Sequence, residues 1–180
     1  MGAMVAKDKP AASPRVINWD GTGAGLLKLV HPVNAIHSRQ QLLAALAGCS
    51  DGTLDELWKA WPQQGGSAAA RILVSECFGR ELARRHGESV LDDWVAQKPA
   101  SEASAWIKGV FTSLAAASPD TVVAALERLP AQYRDGDFGL TPQRTAWLAV
   151  LSQLKPADGK AVAAAVALVK GRGKIAKEAM

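Results

Sequence analysis

Residues 53–62 read Thr-Leu-Asp-Glu-Leu-Trp-Lys-Ala-Trp-Pro. The apolar side chains Leu54, Leu57, Trp58 and Trp61 fall three or four positions apart, the spacing that lines one face of an α-helix. Thr53 and Glu56 stand at capping-box spacing, and Pro62 lacks the amide hydrogen needed to continue the helix. The stretch predicts a helix with one buried face, a defined start and a defined stop.

The same punctuation extends in both directions. Ser38-x-x-Gln41 predicts a cap before Leu42, Leu43 and Leu46. Gly65-Gly66-Ser67 predicts the opening of a longer helix through Ile72, Leu73, Cys77, Phe78 and Leu82, stopping near His86-Gly87. Ser89 leads into Val90, Leu91, Trp94 and Val95, closed by Pro99, and Ser101 opens a run through Trp106, Ile107, Val110, Phe111 and Leu114. Ser118-Pro119 and Thr141-Pro142 each place a cap before a proline at the first helical position. Lys155-Pro156 predicts the start of a last helix that is almost wholly apolar across Ala161–Val169. Only Val16–Trp19 is a β-prone run, so the fold class is all-α.

Leu54, Trp58 and Pro62 align with Val90, Trp94 and Pro99 at offsets of 36 to 37 residues, and these with Val122, Leu126 and Pro130 at 31 to 32. Val162 and Val166 continue the series at an offset of 40 without the closing proline. In this period and punctuation residues 38–169 resemble α-helical tandem-repeat proteins of the tetratricopeptide or HEAT kind. The Leu-Gly-x-x-Tyr portion of the tetratricopeptide consensus is missing, and the spacing drifts too far for strict repeats. The resemblance implies antiparallel helical hairpins stacked as a short right-handed superhelix, in which each hairpin needs a neighbour to bury its apolar face. A compact, non-repetitive helical bundle is the alternative.

The chain has 180 residues, 48% apolar and 21% charged, enough for one ordinary domain and too apolar for wholesale disorder. No stretch has the roughly 18 uncharged apolar residues of a membrane span. Alanine-rich helices with 6 Trp against 1 Tyr and 3 Phe suggest indoles wedged between helices lined by small residues. Met1–Met4 has the look of a cleaved tag, and residues 1–15 as a whole read as a flexible leader. Residues 16–169 form the single domain with an irregular N-terminal part, and 170–180 a basic tail. Charge is uneven: +3 over Met1–Ser50, −4 over Asp51–Leu140 and +5 over Thr141–Met180. The balance suits a soluble protein and favours the cytoplasm, although a signal or anchor upstream would not show.

Chemistry-bearing residues are sparse. Gly21, Gly23 and Gly25 have GxGxG spacing rather than the dinucleotide fingerprint. His31, His37 and His86 lack metal-ligand spacing, and Cys49 and Cys77 lack a nucleophile signature. Asp55-Glu56 and Asp92-Asp93 sit near helix starts, where negative charge complements the helix dipole. Glu76 and Glu81 each precede an arginine by four residues, Arg80 and Arg85, which reads as a solvated, salt-bridged face. No catalytic residue, metal or cofactor is expected. The expected function is a non-catalytic protein–protein interaction module or adaptor. Trp58, Trp61, Trp94, Trp106 and Trp147 are candidates for either core wedges or groove anchors, and Val162 and Val166 for contact with a partner or a second copy. The alternative is nucleic-acid association through Lys170, Arg172, Lys174 and Lys177, which have no interleaved aromatic to stack on bases.

Overall fold

The computed structural model describes residues 19–92, 103–128, 142–155, 157 and 159–167. It is all-helical: α1 (Gly23–Lys28), α2 (Ala35–Ala47), α3 (Asp51–Ala60), α4 (Ala68–His86), α5 (Ala103–Ala117), α6 (Pro119–Arg128), α7 (Pro142–Gln153) and α8 (159–167). Single 3₁₀ turns follow α3 at Trp61–Gln63 and α4 at Gly87–Ser89, the chain is helical again at 90–92, and no strand occurs among the described residues.

Side-chain caps set where the helices begin, and two differ from the sequence expectation. Asn34, not Ser38, caps α2: its amide oxygen accepts the His37 N–H at 3.0 Å. Pro32 stands just ahead and Asn is an equally good cap, so the helix starts one turn early. Ser38 is buried inside α2, where its Oγ accepts the N–H of His31 at 2.7 Å and donates to the Asn34 carbonyl at 2.9 Å. Likewise Ser50 caps α3 through the Thr53 N–H, and Asp51 enters the first turn, where the dipole favours it. Ser67 caps α4 by accepting from Ala70, and α6 begins at Pro119. At the far end of α4, Gly87 adopts φ 64° and ψ −142°, a conformation essentially reserved for glycine.

α4 is the central helix. Residues 73–79 are buried without interruption because neighbours cover it on several sides. Its most extensive partner is α5, and the two backbones meet at paired glycines. A Cβ on Gly79 would collide with the Trp106 carbonyl, and one on Gly109 with the Glu76 carbonyl and the Arg80 nitrogen. α2 packs elsewhere along α4, while α6 and α7 pack on α5 and on each other. Aromatic rings fill the space beside the crossing: Trp58 stacks on Trp106 (centroids 5.9 Å apart, planes at 22°), and Phe78 touches both Trp58 and Trp61. Trp61 is fully buried and donates its Nε1–H to Ser75 Oγ at 2.8 Å, so its one polar atom is satisfied. At the other end, Ala161 of α8 is buried and its N–H donates to Asp120 Oδ1 at 2.6 Å. These pairings fit a helical bundle or a short superhelix. Of the aligned repeat positions, Leu54, Val90, Val122 and Leu126 are buried, while Trp94, Pro99 and Pro130 lie outside the described residues.

The expected solvated carboxylate face of α4 is instead interior. Glu76 and Glu81 are only 9% and 3% exposed. Glu81 accepts from Arg84 and from Arg85 Nε, and Arg85 reaches on to Asp51 at 2.7 Å and to the carbonyls of Leu46 and Ala47. One arginine thus adds donors to the last carbonyls of α2 and ties it to α3 and α4. Glu76 pairs across helices, with Arg39 of α2 at 3.1 Å and Lys108 of α5 at 3.0 Å. Where neighbouring helices cover α4, its carboxylates pair across helices as well as along their own.

Candidate functional site

An apolar groove of about 670 Å³ opens between the 29–34 loop and the first turns of α4, a size in the range of ligand and peptide sites. One wall carries Leu27, Val30, Pro32 and Ala35. The other carries Ala69, Ile72 and Leu73. Small residues make the space: Ala69 and Ala70 keep the start of α4 slim, and Gly66 (φ 113°) turns the chain where a Cβ would press on the Leu27 methyls at 3.0 Å. The loop wall is held in shape by its own hydrogen bonds. The His31 N–H is fixed on Ser38, and His31 Nδ1 accepts the Val33 N–H at 3.3 Å. A wall already ordered loses little entropy when something binds to it.

Large apolar side chains stand in solvent at this site. Ile72 lines the groove and is 50% exposed, and the loop and α2 start beside it present Val33 at 86% and Ile36 at 71%. Isolated exposed apolar residues are ordinary, but Ile72 stands in a concave apolar surface, and Val33 and Ile36 follow its lining residues Pro32 and Ala35 in sequence. Four residues on from Ala35 and Ile72, one helical turn along, α2 places Arg39 and α4 places Glu76, which pair with each other at 3.1 Å. Arg39 Nε is buried without a hydrogen-bond partner.

The sequence candidates are distributed differently. Of the two roles offered for the tryptophans, core wedge and groove anchor, the burial of Trp61 and Trp106 matches core wedge. Trp58 and Trp147 are half-buried against the core. In α8, Val162 is half-buried and Val166 is 46% exposed. Trp94, Lys170, Arg172, Lys174 and Lys177 lie outside the described residues. Burial pushes the Cys77 thiol up to about 12, with Glu76 adding to the effect, and burial also raises Cys49, so neither is a ready thiolate at neutral pH. No group of three His, Cys, Asp or Glu side chains able to hold a metal occurs among the described residues, and none of the helices described is long and apolar enough to cross a membrane.

Sequence reasoning missed the groove. Little of it was legible: Ile72 breaks the buried stripe of α4, and neither 21–50 nor 61–75 contains an Asp or Glu. The concavity itself depends on how α1, the loop and α4 are brought together, which no local pattern encodes. No family model, curated protein or solved structure matches the chain.

Proposed function

We propose that this chain is a non-catalytic protein–protein interaction module and that the groove between the 29–34 loop and α4 is where a partner docks. The observation that carries the reading is a concave, mostly apolar surface that leaves Ile72 half exposed and whose loop wall is already ordered. Such a surface lowers its free energy by covering apolar area, and an adaptor built of packed helices offers it on a rigid frame. The test is parallel affinity capture from the native host with the wild-type chain and the Ile72→Asp variant, followed by binding of the purified candidate. A protein retained by the wild type and lost from the variant supports the reading. Identical capture by both overturns the groove as the docking site.

A second proposal rests on the +5 charge of Thr141–Met180: nucleic-acid contact through Lys170, Arg172, Lys174 and Lys177. Anisotropy with single- and double-stranded probes at low salt tests it. Binding that falls steeply with salt and disappears when 170–180 are deleted supports it, and no binding to either probe removes it.

A further inference from the structure

The chemistry around the groove narrows what fits it. Among the described residues there is no strand, so no sheet edge is available to pair with an extended peptide. The lining is mainly apolar, and its two polar side chains, His31 and Ser67, already accept from the Val33 and Ala70 amides, so an extended segment would leave most of its backbone amides unpaired on entering. A helix satisfies its own backbone and presents apolar side chains at i, i+3, i+4 and i+7, which suits a groove walled by helical and turn residues.

Charge then separates one kind of helix from another. No Lys, Arg, Asp or Glu lines the groove; Lys28, Arg39 and Arg71 stand near it in sequence, the first two paired with Asp20 and Glu76. Lys28 follows Leu27 directly and is largely exposed, in a loose 3.8 Å pair with Asp20. Arg39 is only partly buried, and although it touches Glu76, its Nε has no acceptor. Arg71, on the turn of α4 next to the groove, donates to the Gln64 carbonyl and lies over Trp61, 5.5 Å from the ring centroid. A helix with basic flanks would be repelled by Lys28, which is exposed next to the lining residue Leu27.

Resting on the docking reading above, we propose that the groove's partner is an amphipathic helix whose apolar face is flanked by carboxylates. Three labelled peptides of about 18 residues, long enough to hold a helix, test it against the full-length chain by fluorescence anisotropy. They share a leucine face at i, i+3, i+4 and i+7 and differ only in flanks of Glu, Gln or Lys. The Glu peptide is expected to bind about tenfold more tightly than the Gln peptide and the Lys peptide least, with the spread shrinking as salt is raised. Lys28→Gln, at an exposed position, and Arg39→Gln should each reduce the Glu-over-Gln ratio by a few-fold and leave Gln-peptide affinity unchanged. Ile72→Asp should abolish binding of all three. Equal affinity for the three peptides, each lost with Ile72→Asp, overturns the acidic partner while keeping the groove. Absence of binding by all three overturns both.

Discussion

Gly79 and Gly109 decide how closely α4 and α5 approach, because at each the space for a methyl group is taken by backbone atoms of the opposite helix. Backbone cannot swing aside as a side chain can, so the helices must separate and the contacts of Trp106, Phe78 and Ile107 loosen together. Gly109→Ala is expected to destabilise the chain by about 3 kcal/mol, at the upper end of overpacking effects, read as a lower urea midpoint with unchanged slope. Gly52 is the control: it lies in α3 with nothing near the Cβ position, so Gly52→Ala should raise stability by about 0.5–1 kcal/mol. Both glycines of the crossing are plain in the sequence, but nothing local separates them from Gly52. Their meaning comes from what the other helix brings against them.

Between elements, the Glu81–Arg85–Asp51 cluster joins α2, α3 and α4. Burial by itself would raise the Glu81 carboxyl, but hydrogen bonds from Arg84 and Arg85 outweigh it and hold the group below its ordinary value. The Arg85 hydrogen bond lowers Asp51 in the same direction. Groups lowered in the folded state bind fewer protons there than when unfolded, so their stabilisation is complete above about pH 4.5 and is lost as pH falls through the folded values. Thermal melts across pH 7 to 3 should therefore show a falling Tm on the acid side. Glu81→Gln should flatten that fall and cost about 2 kcal/mol at pH 7, because Arg85 keeps a neutral acceptor in place of a charged one. A melt as pH-dependent as wild type would mean that Glu81 is not the group responsible. The i,i+4 spacing of Glu81 and Arg85 was readable, but its reach to the end of α2 was not.

For the whole molecule, burial separates positions that look alike in sequence. Ala161 and Val166 belong to one apolar run, yet Ala161 is fully buried beside Asp120 and Val166 is 46% exposed. Val166→Asp should leave unfolding within about 0.5 kcal/mol of wild type, as for most surface changes, whereas Ala161→Asp buries a charge and should prevent cooperative folding. Circular dichroism melts compare the two, and sedimentation of Val166→Asp against wild type shows whether this face joins two copies. Ile72→Asp should likewise keep the fold, since half of the side chain is already in water, while removing the apolar surface of the groove.

Local physics was enough for much of this protein. The 3.6-residue period made it all-helical, and Ser67, Gly87 and the Ser118-Pro119 pair marked helix ends, because caps, glycine and proline act on neighbouring backbone only. Where two good caps compete within one turn, as Asn34 and Ser38 do, the pattern named the wrong one and the His31 loop decided. The tertiary structure alone decided the rest. It enclosed α4 and turned Glu76 and Glu81 inward, brought Gly79 and Gly109 to a crossing, and left a groove between α4 and a loop some 40 residues earlier. A helix's own sequence shows which residues are apolar, but burial and concavity depend on where other helices stand, and that is settled only when all of them pack at once.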